Sequence, residues 1–338
     1  MNYDEDTMPD ITHSEVNQDT SGNNNHVYAR RGLIFSIILF VLTVSLFVEP
    51  PEKKLSFREG ADIEEAIQSN PFADLEINAR AALVFDIQRG EALYNSQEEV
   101  QLPLASLTKI MTVLLAEETL PPDTIVTVDK DALNKEGDSG LLLGERWKFS
   151  DLIDLTLVAS SNDGAHALAK AVMANLSLTN RPDQLLENNG TSFSSLMNVK
   201  AGEIGMRQTF FINESGLDAH EAVGGAYGSA RDLSLLLAYV IQEYPKLFEA
   251  TTLISLATYS LDGEEHRVEN TNEFVESIPG IIASKTGTTD LAGGNLAVVF
   301  EIAPLHPIAV IVLGSTPEKR FSDVQALVGA TIVSFLPR

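Results

Sequence analysis

Three short clusters in this chain pair a hydroxyl with an amine or an amide, the groups that nucleophilic catalysis needs. The first is Ser106-Leu107-Thr108-Lys109. On a helix, positions i and i+3 share a face, so this hydroxyl and this amine can meet. A serine attacks only when a base takes its proton, and a neutral lysine can serve. The pattern alone is weak. With 26 serines and 11 lysines in 338 residues a chance match is expected, and a solvated helix face is the plainer reading. The second cluster, Ser160-Ser161-Asn162, falls between two expected helices. There a hydroxyl can relay a proton and an amide can hold a carbonyl, although Ser-Ser-Asn-Asp-Gly is also good turn and capping material. The third, Lys285-Thr286-Gly287-Thr288, follows the apolar Ile281-Ile282-Ala283. A strand leading into glycine suits a place where a ligand's backbone approaches closely. Lys285 would add positive potential there and Thr288 an N–H and a hydroxyl; a simple strand end is the competing view.

The elements that must position these clusters read as a mixed domain. Residues 79–87 and 91–94 pattern as two strands joined by a Gln88-Arg89-Gly90 turn. A helix is expected over 106–118, then a short strand at 124–128. A second helix starts at Phe149-Ser150-Asp151, capped by Ser150, and ends near Ala159. Asp163 can cap the Ala-rich helix that follows. Residues 177–194 read as a loop and an insertion, with helices at 193–205 and 230–244, the latter behind a Ser229-x-x-Asp232 capping box. Strands are expected near 251–260, 280–286, 294–302 and 307–314, and a last helix over 318–334. Helices around a strand-rich set with hairpin-length links indicate α+β with an antiparallel sheet.

Composition bounds the function. The net charge of -25 argues against nucleic acid, which such a surface would repel. There are no cysteines, which excludes disulfides, a thiol nucleophile and Cys-ligated zinc. The six histidines are scattered with no metal-binding spacing, so neither a metal nor another cofactor is expected.

The N-terminal part divides into three. Residues 1–29 are polar and without apolar periodicity, the pattern of a disordered tail. Arg30 and Arg31 then precede an uncharged run, 32–48, whose only hydroxyl residues are Ser36, Thr43 and Ser45. As a helix it would span about 26 Å, slightly under the ~30 Å of a hydrocarbon core. A buried core helix would usually carry a polar stripe, so a membrane anchor over 30–48 is expected. The sequence after it lacks a small-x-small cleavage site, which points to an uncleaved signal anchor. Basic residues flank both ends (Arg30 and Arg31; Lys53, Lys54 and Arg58), so charge does not set its orientation. Residues 49–76, with Pro50-Pro51, suit a linker, and 77–338 form the expected catalytic domain.

Taken in order, SxxK, a serine–asparagine triplet and KTG are the signature of penicillin-recognising serine enzymes. From about Ala79 to Ala330 the chain resembles the low-molecular-mass penicillin-binding D-alanyl-D-alanine carboxypeptidases. Residues 81–86, 105–112, 143–145 and 160–165 carry the likeness in its first half. Met197-Asn198, Gly205-Met206 with Thr209-Phe210-Phe211, and Ser215-Gly216-Leu217-Asp218 continue it, with Asn270-Thr271-Asn272, 285–289 and Ala292-Gly293 towards the end. The resemblance implies a β-lactamase/transpeptidase-like fold with an all-helical subdomain holding Ser160 and Asn162. It implies that Ser106 is acylated, Lys109 takes its proton, and Ser160 passes a proton to the departing D-alanine amine. Asn162 would bind substrate amide, Lys285 would tune the field, and Thr286 and Thr288, around Gly287, would hold the peptide and its carboxylate. Backbone N–H groups of Ser106 and Thr288 would form the oxyanion hole, and Arg320 matches a family arginine near the carboxylate site. The implied partners are peptidoglycan stem peptides, β-lactams as covalent inhibitors, and a lipid bilayer through the N-terminal helix, with the domain on the extracytoplasmic side of a bacterial membrane.

A free lysine has a pKa near 10.4, and lowering it by about 3 units takes ~4 kcal/mol. Burial and a second cation do this. Lys285 is the expected cation, so Lys285→Ala is expected to slow acylation and move its acid limb upward. Two departures from the family stand out: Ser161 replaces a common glycine, and the chain ends soon after the last helix. The C-terminal β-domain and amphipathic helix of many relatives are thus expected to be absent, the N-terminal segment taking over as anchor. Alternative functions are a D,D-endopeptidase of peptidoglycan crosslinks, a class A-like β-lactamase, for which no ExxLN-like segment lies between Ser160 and Lys285, and a non-catalytic penicillin-sensing domain.

Overall fold

Continuous runs of apolar residues, buried on both faces, build the central strands of the molecule. The structure, a computed structural model, describes residues 70–137, 139–178 and 192–337. The expected tail (1–29), the expected anchor (30–48), residues 49–69 of the expected linker and residues 179–191 of the expected loop lie outside the described residues. Among the described residues no helix is long and apolar enough to cross a membrane.

Strands β1 (Ala81–Asp86), β2 (Glu91–Ser96), β10 (Ile281–Thr289), β11 (Gly293–Ala303) and β12 (His306–Ser315) form one sheet in the order β10-β11-β12-β1-β2, every neighbouring pair antiparallel. The β1–β2 turn closes as expected, Gly90 in the left-handed region at φ 70 and the Arg89 N–H on Asp86 Oδ1 at 2.9 Å. Successive side chains of a strand face opposite ways, so the sheet serves two cores. Ala82, Val84, Val298, Phe300, Val310 and Val312 pack with Phe321, Val324 and Leu327 of the C-terminal helix. Ala81, Leu83, Phe85, Val299, Ile311 and Leu313 belong to the larger core shared with the other helices. Phe72 joins the first core and stacks on Tyr94 at 5.5 Å, so packing begins before Ile77, inside the segment expected as a linker.

The helical half is built around α1 (Lys109–Thr119), preceded by a three-ten turn at Ala105–Thr108. Ile110, Met111, Val113 and Leu114 are all buried, the apolar-all-round pattern of a central helix. A short helix α2 (Lys130–Leu133) is capped by Asp129, and α3 (Phe149–Val158) leads through Ser160-Ser161 into α4 (Asn162–Leu178). Ser150 does not cap α3, because the helix already begins at Phe149, behind Lys148. Nor is Asp163 the cap of α4: the Gly164 N–H bonds to Ser161 Oγ at 2.8 Å. The departure from glycine at 161 therefore acts as a helix cap.

Helices α5 (Phe193–Ile204), α6 (Ala230–Glu243) and α7 (Lys319–Ser334) complete the set. Ser229 caps α6 through the Asp232 N–H. The Asp232 carboxylate turns instead to the Gln208 N–H at 2.6 Å and the Thr209 hydroxyl at 2.8 Å, so the box is half formed and half a tertiary tie. Short strands form separate sheets: β3 (Leu102–Pro103), β7 (Ala226–Gly228) and β6 (Phe210–Phe211) pair in that order, and β4 (Ile125–Thr127) pairs with β5 (Arg146–Lys148). The strand expected over 251–260 divides into a three-ten turn at Glu249–Thr252 and β8 (Ser255–Tyr259), which pairs with β9 (Glu265–Glu269) apart from the main sheet. α6 and α7 both pack against β12, and the edge strand β10 lies against the 105–108 and 249–252 turns. The α+β arrangement expected from the sequence is the observed one.

Candidate active site

The face where β10 meets the helical half gathers the three clusters. Ser106 lies on the three-ten turn and Lys109 opens α1, so their i, i+3 spacing brings Lys109 Nζ within 2.8 Å of Ser106 Oγ. The amine also donates to Asn162 Oδ1 at 2.7 Å and to the Ser215 carbonyl at 2.9 Å. An ammonium has three protons and meets three acceptors here. A neutral amine has two N–H bonds and one lone pair. Asn162 and Ser215 accept the two N–H bonds, which leaves the lone pair facing the Ser106 hydroxyl. Burial lowers the Lys109 pKa from 10.5 to about 7, against Glu214 and Asp163, whose charges raise it. Of the two causes expected for the depression, burial and a second cation, burial does the work.

Lys285 is held from β10 into the same space. It is 2 % exposed, and its amine donates to Ser160 Oγ at 2.8 Å and to the Thr286 carbonyl at 3.0 Å. Burial, then the charges of Lys109 and Arg320, push it well below the usual lysine range. Ser160 has φ 57, a left-handed conformation costing a residue with a Cβ roughly 1–3 kcal/mol. That turn aims its hydroxyl back towards β10. Asn162 is itself fixed by an N–H bond to the Glu136 carbonyl at 2.7 Å, which leaves one amide proton of its own.

Gly287 lets the edge strand touch the nucleophile's turn. A Cβ there would stand 2.9 Å from the Leu104 carbonyl oxygen, 3.1 Å from the Ser106 nitrogen and 3.2 Å from the Ala105 Cβ. Thr288, next along, is exposed at the mouth, where Arg320 donates to its hydroxyl and, at 3.1 Å, to the Gly287 carbonyl. Burial lowers the Arg320 pKa below its ordinary value, against Glu273 and Glu318. Thr286 is buried, and its hydroxyl bonds to that of Thr271 at 2.6 Å. All nine residues singled out from sequence therefore lie at this junction, with Thr286 turned towards Thr271.

Other residues shape the site without having been singled out. Asn295, 0% exposed on β11, ties the segment before Ser106 to the sheet. Glu214 bonds to His166 Nδ1 at 2.7 Å, and its own carbonyl accepts the Thr112 hydroxyl at 2.6 Å, which clamps the 213–216 loop onto α1. Burial raises the Glu214 carboxyl, but hydrogen bonds from His166 and the backbone, with the charges of His166 and Lys135, outweigh it and hold the pKa at about 2. Thr271 was visible only as part of a family pattern. A lone Asn opening the apolar run Leu296-Ala297-Val298-Val299-Phe300 was the one sequence signal for Asn295.

Comparison with known proteins agrees with this geometry. The family model described as D-alanyl-D-alanine carboxypeptidase matches residues 65–316. The chain is 26% identical over 298 residues to the D-alanyl-D-alanine carboxypeptidase DacF of Bacillus subtilis, covering 86% of this chain and 67% of that protein. It is 28% identical over 258 residues to a D-alanyl-D-alanine endopeptidase of Escherichia coli, covering 75% and 76%. It spans 60% to 67% of the length of six curated carboxypeptidases that it matches. Among solved structures, the ampicillin-bound form of penicillin-binding protein D2 from Listeria monocytogenes superposes with a TM-score of 0.61 at 28% identity, covering 76% of this chain and 98% of that one.

Proposed function

This chain belongs to the D-alanyl-D-alanine carboxypeptidase family and is a serine hydrolase of that kind, and we propose that it removes the terminal D-alanine from peptidoglycan stem peptides through an acyl-enzyme on Ser106. One observation carries the reading: a buried amine with a pKa of about 7, two of its N–H bonds accepted by Asn162 and Ser215, faces the Ser106 hydroxyl.

In this mechanism neutral Lys109 takes the Ser106 proton as Oγ adds to the penultimate D-alanine carbonyl. The resulting oxyanion is met by the N–H groups of Ser106 and Thr288, a donor of this kind being worth ~3–4 kcal/mol. The C–N bond then breaks, and the proton that Lys109 took from Ser106 passes through Ser160, whose hydroxyl is held by Lys285, to the leaving amine, which returns Lys109 to its neutral form. Water completes the turnover by attacking the ester, with Lys109 again as base. The Arg320 guanidinium beside Thr288 suits the substrate's terminal carboxylate, a pairing that is charge-assisted. Asn162 has one amide proton left for the substrate backbone.

β-Lactams would acylate the same serine, a reading supported by the ampicillin-bound Listeria relative. The sequence run 32–48 supports a single-pass membrane anchor, with the catalytic domain on the extracytoplasmic side where this substrate lies. Crosslink endopeptidase activity is the second reading, favoured by the E. coli endopeptidase likeness.

The test is to incubate the protein with diacetyl-L-Lys-D-Ala-D-Ala and with a crosslinked muropeptide, in wild type and Ser106→Ala. Free D-alanine from the tripeptide in wild type alone supports the carboxypeptidase. Monomer release from the crosslinked substrate alone would move the assignment to the endopeptidase, and no product from either would count against both.

A further inference from the structure

We propose that Asn295 is a positioning residue for the oxyanion hole, setting the spacing between the Ser106 amide and strand β10. The proposal rests on the acyl-enzyme reading above. Asn295 is 0% exposed, and its amide nitrogen donates to two successive carbonyls, Pro103 and Leu104, at 3.0 Å each. Its oxygen accepts the Gly314 N–H at 2.8 Å, which ties the same side chain to β12. The side chain thus grips the Pro103–Leu104 and Leu104–Ala105 peptide groups, the two that precede the Ala105–Ser106 link, and holds them to the middle of the sheet.

Three further observations link that grip to the oxyanion hole. Asn295 is the register partner of Gly287 across β10–β11, so it stands opposite the residue where β10 comes nearest to Ser106. The Leu104 carbonyl that Asn295 holds is the atom a Cβ at position 287 would meet first, at 2.9 Å, with the Ser106 nitrogen next at 3.1 Å. Ala105, between the gripped carbonyls and Ser106, has φ 48, a conformation that a residue with a Cβ keeps only where its surroundings enforce it. On the other side the Leu104 N–H is fixed to the Ala226 carbonyl at 2.9 Å. One nitrogen offering two protons to consecutive carbonyls while its partner oxygen accepts a third bond is a property of a primary amide. Aspartate would face two carbonyl oxygens with a carboxylate, and serine has one proton and a shorter reach.

A role in stability alone would show in melting and nowhere else. The experiment compares wild type with Asn295→Asp, Asn295→Ser and Asn295→Ala in the full chain. It measures thermal melting, the second-order rate of acylation by a fluorescent penicillin, and the affinity for a peptide boronic acid ending in the boron analogue of D-alanine. The Ser106 oxygen adds to boron with loss of its proton, and an oxygen of the tetrahedral anion takes the oxyanion position, so this affinity reads the hole directly. In the variants that melt cooperatively, acylation and boronate affinity should fall together by about 10- to 100-fold, the scale of an oxyanion donor misplaced but not removed. Wild-type acylation and boronate affinity with a lowered melting temperature would overturn the proposal, as would loss of cooperative melting in all three variants. A wild-type chain that binds neither reagent at Ser106 would instead remove the acyl-enzyme reading, and the proposal with it.

Discussion

Replacing Lys109 by methionine keeps most of the side-chain volume, removes the amine, and should change how stability depends on pH. Lys109 is fully buried and its pKa falls from 10.5 to about 7 on folding, because burial disfavours the ammonium. The folded pKa lies below the unfolded one, so between them the unfolded chain binds more protons and stability rises with pH. The penalty is complete below pH 7 and gone above about 10.5. At 1.36 kcal/mol per unit it amounts to about 4 kcal/mol at pH 7 and about 2 kcal/mol at pH 9. Wild type should therefore gain about 2 kcal/mol between pH 7 and 9 that Lys109→Met does not. Lys285 adds its own dependence in the same sense, and since the Lys109 charge contributes to its depression, losing Lys109 relaxes it and widens the difference. Methionine also forfeits bonds to Ser106, Asn162 and Ser215, worth about 1 kcal/mol each, so at pH 7 gain and loss should cancel to within about 2 kcal/mol. Urea unfolding of both proteins at pH 7 and pH 9 checks this, alongside labelling by fluorescent penicillin, which the variant should lack. The same pH dependence in both proteins would refute the assignment of the depressed pKa to Lys109.

Three other substitutions test separate parts of the site. Glu214→Gln removes a negative charge that favours the Lys109 ammonium, so the acid limb of acylation should move to lower pH, read from the rate of penicillin acylation between pH 5 and 9; an upward move would reverse the electrostatics described. Gly287→Ala places a Cβ 2.9 to 3.2 Å from three atoms of the nucleophile's turn, and the displacement should slow acylation by about 100-fold. An unchanged rate would mean that the strand and turn do not act together. Ser161→Gly removes the cap on the Gly164 N–H and the bond to Ser139 Oγ at 2.6 Å, which should lower stability by about 1 kcal/mol in urea melts.

Much of the fold was legible because its elements carry local signals. A continuous apolar run marks Ala81–Asp86, a glycine turn closes its hairpin, and Ser229 announces α6. Where the reading went astray, tertiary structure outweighed the local preference. Ser150 and Ser161 are equally good caps, but only the second stands where the helix begins. The strand Glu265–Glu269 is charged and mostly exposed, so no apolar pattern marks it. The site was legible to the extent that its chemistry is written in contiguous letters, as at Ser106 to Lys109. Asn295 acts on residues 191 and 192 positions away, and Glu214 reaches His166 across 48, distances over which no short window carries information. The electrostatics were harder still. Burial and the Lys285 cation were both expected to depress Lys109, and of the two burial, a property of the folded chain, is what lowers it.

The central claim is that Ser106, facing a neutral buried amine, becomes covalently acylated. Reacting the protein with benzylpenicillin and locating the adduct by intact-mass and peptide mass spectrometry tests it most directly. A single adduct of one penicillin per chain, mapped to Ser106 and absent from Ser106→Ala, is the predicted result. An adduct on another residue, or one that survives the substitution, would contradict it.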